Sequence, residues 1–512
     1  MDHRKTPNPI FPLLLLLIVS WMCIGGPARS PLLPSQPFLI LWAVPNRDCL
    51  GRPDPAAFGM EWEGRVAEFY EDSLGLYPYF SAEGEPVNGG LPQHTSLEHH
   101  LQKVEADLIA TLPQAGAPGL GMLKWKKWEP QWTRNRGNQR KYLRTSRALL
   151  QGFFPDWSAD EVEKWAQVDF EAAAQIILME TLKDLKRLRP QRLWGMASYP
   201  NCYNSDSTQI LLENYTGRCS AVEMALNNEL MWLWKQSDAL YPILALEKFP
   251  EGTKGAWLYA SNQIKEALRV AALAGTTFEL PVYPLVKSTY ISSSSFLSEA
   301  NLVNTVGESA AMGAAGVVIW DRFLPTKTQK LCFDLTSYVQ EVLGPYAVNV
   351  TMATRLCSIS LCKGLGRCVR KKPEDPVYLH LPPAHFLLLH QGAEGVRATG
   401  QLPPNYLDAW RQNFHCHLFE ALEGAAADQE SVGIESGGQR PLPTLKPSNI
   451  AAHTVRTGQT VGIEKTLVHS EKTVALITPA EQETSKSGGP TQFATIILFC
   501  VLSFFRLINF DF

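Results

Sequence analysis

The sequence carries little net charge: 47 Lys and Arg stand against 50 Asp and Glu in 512 residues, a formal balance of −3. Near-neutrality excludes nucleic-acid binding driven by the charge of the whole protein, so any affinity for anions has to come from a local patch. No Cys/His cluster has zinc-finger spacing, which argues against a metal centre, and no cofactor signature is read. Long apolar runs are also missing. Leu13–Ile24 and Phe493–Phe505 both fall short of the ~20 residues that a membrane-spanning helix needs. Between residues 421 and 490 aromatics are scarce while Gly, Ala, Ser, Thr and Pro abound. Such a segment cannot bury enough surface to fold and reads as a disordered stalk.

What is present points out of the cell. Arg4 and Lys5 precede Leu13–Ile24, and Gly25, Gly26 and Ala28 supply small residues for cleavage. Residues 1–30 therefore read as a secretory signal, with an uncleaved N-terminal anchor as the rival. Of ten cysteines, Cys23 lies in this leader and Cys500 in the tail. The other eight are Cys49, Cys202, Cys219, Cys332, Cys357, Cys362, Cys368 and Cys416. An even number in an oxidising compartment implies disulfides, although spacing alone does not pair them. Asn214-Tyr-Thr and Asn349-Val-Thr are acceptors for N-glycosylation. Residues 491–512 form a hydrophobic tail, with Ser487, Gly488 and Gly489 just ahead of it. It reads as a glycolipid-anchor signal, yet the polar spacer is shorter than the usual ~8–12 residues. A plain hydrophobic terminus on a secreted chain is the alternative.

The apolar run Phe38–Val44 predicts a strand buried on both faces. Further strands are expected at Val66–Tyr70, Gly119–Leu123, Leu193–Met196, Ile243–Leu246, Leu280–Leu285 and Ala315–Trp320. Helical spacing covers His99–Leu112, Gln139–Phe153, Ala221–Leu240, Asn262–Leu273 and Ser298–Met312. A longer helix is expected within Ser158–Arg189, opened by the capping box Ser158-Ala-Asp-Glu161. Buried strands alternating with amphipathic helices indicate an α/β protein with a parallel sheet, and this many units suggests a closed barrel.

One stretch orders the rest: Gly119–Arg136, GLGMLKWKKWEPQWTRNR. An apolar strand gives way to a Trp-studded polar loop, at the end of a barrel strand where catalytic side chains are presented. If the extended conformation continues, Lys124, Lys126 and Trp128 face one way, and Trp125 and Lys127 the other. This segment resembles the active-site strand of the animal hyaluronidases, glycoside hydrolase family 56, whose pattern is Asp-Trp-Glu-x-Trp-Arg-Pro-x-Trp-x-x-Asn-Trp. Here the frame reads Lys124-Trp125-Lys126-Lys127-Trp128-Glu129-Pro130-Gln131-Trp132-Thr133-Arg134-Asn135-Arg136. Both acidic positions carry Lys, the family's Arg is Glu129 and its last Trp is Arg136. Other motifs appear in family order between Pro37 and Cys416, among them Asn88-Gly-Gly-Leu-Pro92, Cys202-Tyr-Asn204, Trp232-Leu-Trp234 and Gly307-Glu-Ser-Ala-Ala.

The resemblance implies a distorted TIM-type (β/α) barrel over residues 31–356 and a small Cys-bearing, EGF-like remnant over 357–420. It also implies the pairs Cys49–Cys332, Cys202–Cys219, Cys357–Cys368 and Cys362–Cys416. In the family the Glu protonates the leaving oxygen, the substrate's N-acetyl oxygen attacks and the Asp steadies it. Lys126 would stand at the acid and Lys124 at the Asp. An ammonium with a reference pKa near ~10.4 is poorly matched to that proton transfer, and a cation opposes a developing oxocarbenium ion. On strand alternation Glu129, the one nearby carboxylate, turns away from the mouth. Tyr77, Tyr203 and Trp320 match groove or floor aromatics, while Ala197, Asn201 and Ala245 stand where the family has Tyr, Asp and Tyr.

Two functions follow as expectations. The first is a catalytically silent extracellular protein, secreted or surface-anchored, that binds hyaluronan or chondroitin or a cell-surface partner. Its basic cluster Lys124, Lys126, Lys127, Arg134, Arg136, Arg140 and Lys141 would hold a polyanion, although a solvated loop explains the cluster equally. The second is an active endo-β-N-acetylhexosaminidase with a rerouted acid.

Overall fold

A computed structural model describes residues 26–420, apart from 46–48, 50–52, 62–63, 205–213, 249–253, 322–327 and 391–394. The leader up to residue 25, the stalk at 421–490 and the tail at 491–512 lie outside the described residues. Seven parallel strands are described: β1 (Leu39–Ala43), β2 (Val66–Tyr70), β3 (Gly119–Lys124), β4 (Arg192–Met196), β5 (Ile243–Leu244), β6 (Leu285–Lys287) and β7 (Gly316–Trp320). They pair in the orders β2-β3-β4 and β5-β6-β7-β1. A parallel bridge from Ala197 to Tyr241 carries the ring from β4 to β5, and one from Leu41 to Glu61 joins β1 to the residues ahead of β2. The result is the distorted barrel that the alternation of elements implies.

Strand alternation sorts the core into an inside and an outside. Leu39, Leu41, Leu120, Met122, Leu193, Tyr241, Leu285 and Val318 fill the interior. Their neighbours face the helices: Phe69, Leu123 and Trp194 pack in one outer cluster, Ile40, Trp42, Val317 and Ile319 in another. The long helix Ala159–Leu188 starts at Ser158 with the expected capping box. Ala221–Leu240 is two helices, Ala221–Glu229 and Met231–Gln236. The strand expected at Leu280–Leu285 forms only from Leu285, because Pro281 and Pro284 lack the N–H a ladder requires; Val282 makes a single bridge to Leu240.

The four disulfides are Cys49–Cys332, Cys202–Cys219, Cys357–Cys368 and Cys362–Cys416. The last two sit in the C-terminal module, where Gly366–Arg370 pairs antiparallel with Phe414–Leu418. A hairpin of Phe386–His390 and Val396–Gly400 lies between them in sequence. The module is fastened to the barrel by Arg370, which donates Nη1 to Glu308 Oε2 at 2.9 Å and Nη2 to Oε1 at 2.6 Å. Both side chains are almost fully buried.

The start of the described chain is also built in. Ala28 N–H donates to Leu418 O at 2.8 Å, and its carbonyl accepts from Glu420 N–H at 2.8 Å. Pro27 O accepts from Glu279 N–H at 2.8 Å. These bonds belong to residues inside the leader expected at 1–30.

Candidate functional site

The C-terminal ends of the barrel strands converge on Lys124. It ends β3, opposite Tyr70 of β2, and continues the inward-facing row of Leu120 and Met122. Its ammonium is buried, 2.5 Å from Glu68 Oε1 and 4.4 Å from the ring centroid of Trp320 at the end of β7. Glu68 faces inward from β2 and accepts the Tyr70 hydroxyl at 2.9 Å. Trp320 is partly buried, and one face of its ring is taken by a cation of the same chain. Beside it, Lys287 pairs with the buried Asp321 at 3.1 Å, and the Thr289 hydroxyl donates to Asp321 at 2.6 Å.

The strand stops at Lys124, so alternation does not extend through the loop. Trp125 and Trp128 both bury against Tyr77, at 4.7 and 5.0 Å between ring centroids. Their indole N–H groups donate to Tyr70 O and Pro78 O. Tyr77 itself is 0 % exposed: it buttresses the tryptophans from beneath and presents no face to a groove, which corrects the expectation that it lines one. Tyr203 is the open aromatic, 39 % exposed.

Each cation of the loop meets a carboxylate. Lys126 lies 3.8 Å from Glu129 and over the Tyr199 ring at 4.8 Å. Lys127 pairs with Glu71 at 3.0 Å and lies over Tyr79. The buried Arg134 and the exposed Arg136 share Glu223, at 3.2 and 3.3 Å, and flank Tyr203. Arg134 is held further by Asn227, which in turn donates to Glu266. Lys141 donates instead to the carbonyls of Phe80 and Ser81. Five of the seven expected groove cations thus share four carboxylates, so the cluster is less basic than the sequence alone suggests.

Glu129 is likewise corrected. It is one of several carboxylates here, and it is buried, with Tyr199 donating its hydroxyl to one oxygen and Lys126 approaching the other. Asn135 fixes its backbone, accepting from Glu129 N–H and donating to Glu129 O. Glu68, Glu71, Glu223 and Tyr199 were missed from sequence. The one available signal was Glu68, a charge in the otherwise apolar-to-aromatic strand Val-Ala-Glu-Phe-Tyr. Among the remaining candidates, Ala197 bridges to Tyr241, and Asn201 accepts from Tyr203 N–H and Gln263. Asn214 is exposed, while Asn349 lies on a helix and accepts Leu381 N–H at 2.8 Å. The eight cysteines are consumed in disulfides.

Comparison with known proteins gives a consistent picture. Residues 27–431 match the family model of glycoside hydrolase family 56, described as hyaluronidase. Human hyaluronidase-2 is 38 % identical over 435 residues, covering 82 % of this chain and 92 % of that protein. Human hyaluronidase-1 is 38 % identical over 416 residues, covering 79 % and 95 %. Among solved structures, bee venom hyaluronidase superposes with a TM-score of 0.55 at 29 % identity, over 60 % of this chain and 99 % of that one. Its complex with a hyaluronic acid tetramer matches equally, over 98 % of its length.

Proposed function

The chain belongs to the hyaluronidase family, glycoside hydrolase family 56, and on that premise we propose that it is a catalytically silent, extracellular member that binds glycans of the hyaluronan or chondroitin class. The observation that carries this reading is the pairing of Lys124 with Glu68 and of Lys126 with Glu129. At the two places where the family pattern calls for a proton donor and a stabilising carboxylate, this chain holds ammonium groups already committed to counter-ions. General acid catalysis is worth roughly 10²–10⁴ in rate, and neither Lys supplies it. Glu129, the carboxylate nearest Lys126, has its oxygens engaged by Tyr199 and Lys126.

Glycan binding rests on Tyr203 and Trp320 as stacking surfaces and on the paired polar groups around them as hydrogen-bonding partners, with the tetramer complex of the bee venom relative as analogy. A second reading, an active endo-β-N-acetylhexosaminidase, draws on the identity to human hyaluronidase-1 and hyaluronidase-2 across the barrel. It would need Glu129 released from both partners. Export is supported by the leader and by the four disulfides. The leader, read at residues 1–30, is in this reading cut ahead of Pro27, since Pro27 and Ala28 bond to the fold. The tail at 491–512 serves as a glycolipid-anchor signal in this reading.

Internal pairing gives a measurable consequence. The Debye length shrinks from ~30 Å at 0.01 M to ~8 Å at 0.15 M salt, which weakens a free cationic groove and leaves stacking untouched. Retention on immobilised hyaluronan is expected to change little between those conditions. Retention that collapses as salt rises would show that charge does the holding; none at either salt would remove hyaluronan as ligand.

A further inference from the structure

At the opposite end of the barrel a second site stands apart from the mouth. A cavity of about 240 Å³ lies between the N-terminal segment, the loop ahead of β6 and the C-terminal module. Its polar wall is Arg29, Glu279, Arg367 and His417; its apolar wall includes Leu268, Val282 and Met312.

Arg367 is the telling residue. It is 6 % exposed. Nη1 donates to Gly313 O at 3.0 Å and the guanidinium lies over the Phe419 ring. Nε, buried, has no hydrogen-bond partner, and among the described residues no carboxylate forms an ion pair with it. Burial pulls its pKa down to about 10, with Tyr283 and Glu279 only partly offsetting this. Buried charges are ordinarily paired, and an unpaired one is costly. Arg29 adds a second guanidinium, tied to the protein through Asp238 O at 3.4 Å and stacked on Phe278. The one carboxylate of the wall, Glu279, sits 3.8 Å from His417, whose ring nitrogen also faces Gly26 O at 3.1 Å; two guanidiniums thus stand against one carboxylate. The wall therefore carries excess positive charge next to apolar surface.

We propose that this cavity binds a small carboxylate with a compact apolar body, the carboxylate on Arg367 and Arg29 and the body against Leu268, Val282 and Met312. The proposal is independent of the state of the mouth.

Hexanoate is the probe, titrated into the full-length purified protein by calorimetry and by ligand-observed NMR, with 1-hexanol, hexylamine and acetate as controls. A charge-assisted hydrogen bond in a desolvated site supports a preference of about tenfold or more, so hexanoate should bind at least that much more tightly than each control. Arg29→Met, on a partly exposed residue, should weaken hexanoate several-fold while leaving the melting temperature unchanged; Arg367→Gln should weaken it further. Equal binding of hexanoate and 1-hexanol, or hexanoate affinity untouched by Arg29→Met, overturns the assignment.

Discussion

Replacing Lys124 by Asp and Lys126 by Glu, the acidic pair that the resemblance implies at these positions, is expected to yield a less stable protein with no hyaluronan cleavage. The reason lies on the neighbouring strand. A carboxylate at position 124 would face Glu68, which now holds the Lys124 ammonium at 2.5 Å in a buried setting. Breaking a buried pair by removing one partner costs about 3–5 kcal/mol, and a second carboxylate adds repulsion. Position 126 contributes far less, because Lys126 is 39 % exposed and pairs of that kind are worth ~0–1 kcal/mol. A carboxyl group at position 126 would face Glu129, and like charge opposes ionising both; Ala197 and Ala245 still stand where the family pattern has Tyr. Adding Glu68→Gln and Glu129→Arg removes both conflicts. Denaturant unfolding should recover most of the lost stability in the four-residue variant. A two-residue variant as stable as the parent would contradict the role given to Glu68 as counter-ion.

Glu308→Gln should be comparably damaging. Arg370 forks onto Glu308 with both side chains 0–1 % exposed; Nη1 and Nη2 also donate to the carbonyls of Val377 and Pro373, while Nε is buried without a hydrogen-bond partner. The amide keeps the shape and removes the charge. An uncompensated buried guanidinium costs about 3–5 kcal/mol, so the unfolding midpoint falls sharply. Replacing both residues by Met should cost less than the sum of the single changes, because the orphaned charge goes too. Additive losses would show that the pair is not coupled.

These two pairs also mark where sequence reading stops. The barrel was legible because its signals are local: Phe38–Val44 is apolar at every position of a buried strand, and Ser158 with Glu161 caps a helix within a single turn. The active-site frame of tryptophans, Pro130 and Asn135 carries the family likeness in one segment. Counter-ions are not local. Glu68 and Lys124 lie on different strands and meet only because β2 and β3 are neighbours, and Glu308 and Arg370 are separated by 62 residues. Exposure of a ring is equally invisible, since Tyr77 and Tyr203 differ only in what the folded chain stacks on them. Where alternation was carried past the end of a strand, as from Lys124 to Trp128, it misplaced side chains, because the loop closes on Tyr77.

The most direct measurement is the release of new reducing ends from hyaluronan and chondroitin by the purified, unaltered protein, followed from acidic to neutral pH beside an active relative. On the proposed reading, in which Lys124 and Lys126 stand at the family's acidic positions, both polysaccharides should stay at background throughout. Steady, protein-dependent release at any pH would show that another group donates the proton and that the chain is a working enzyme.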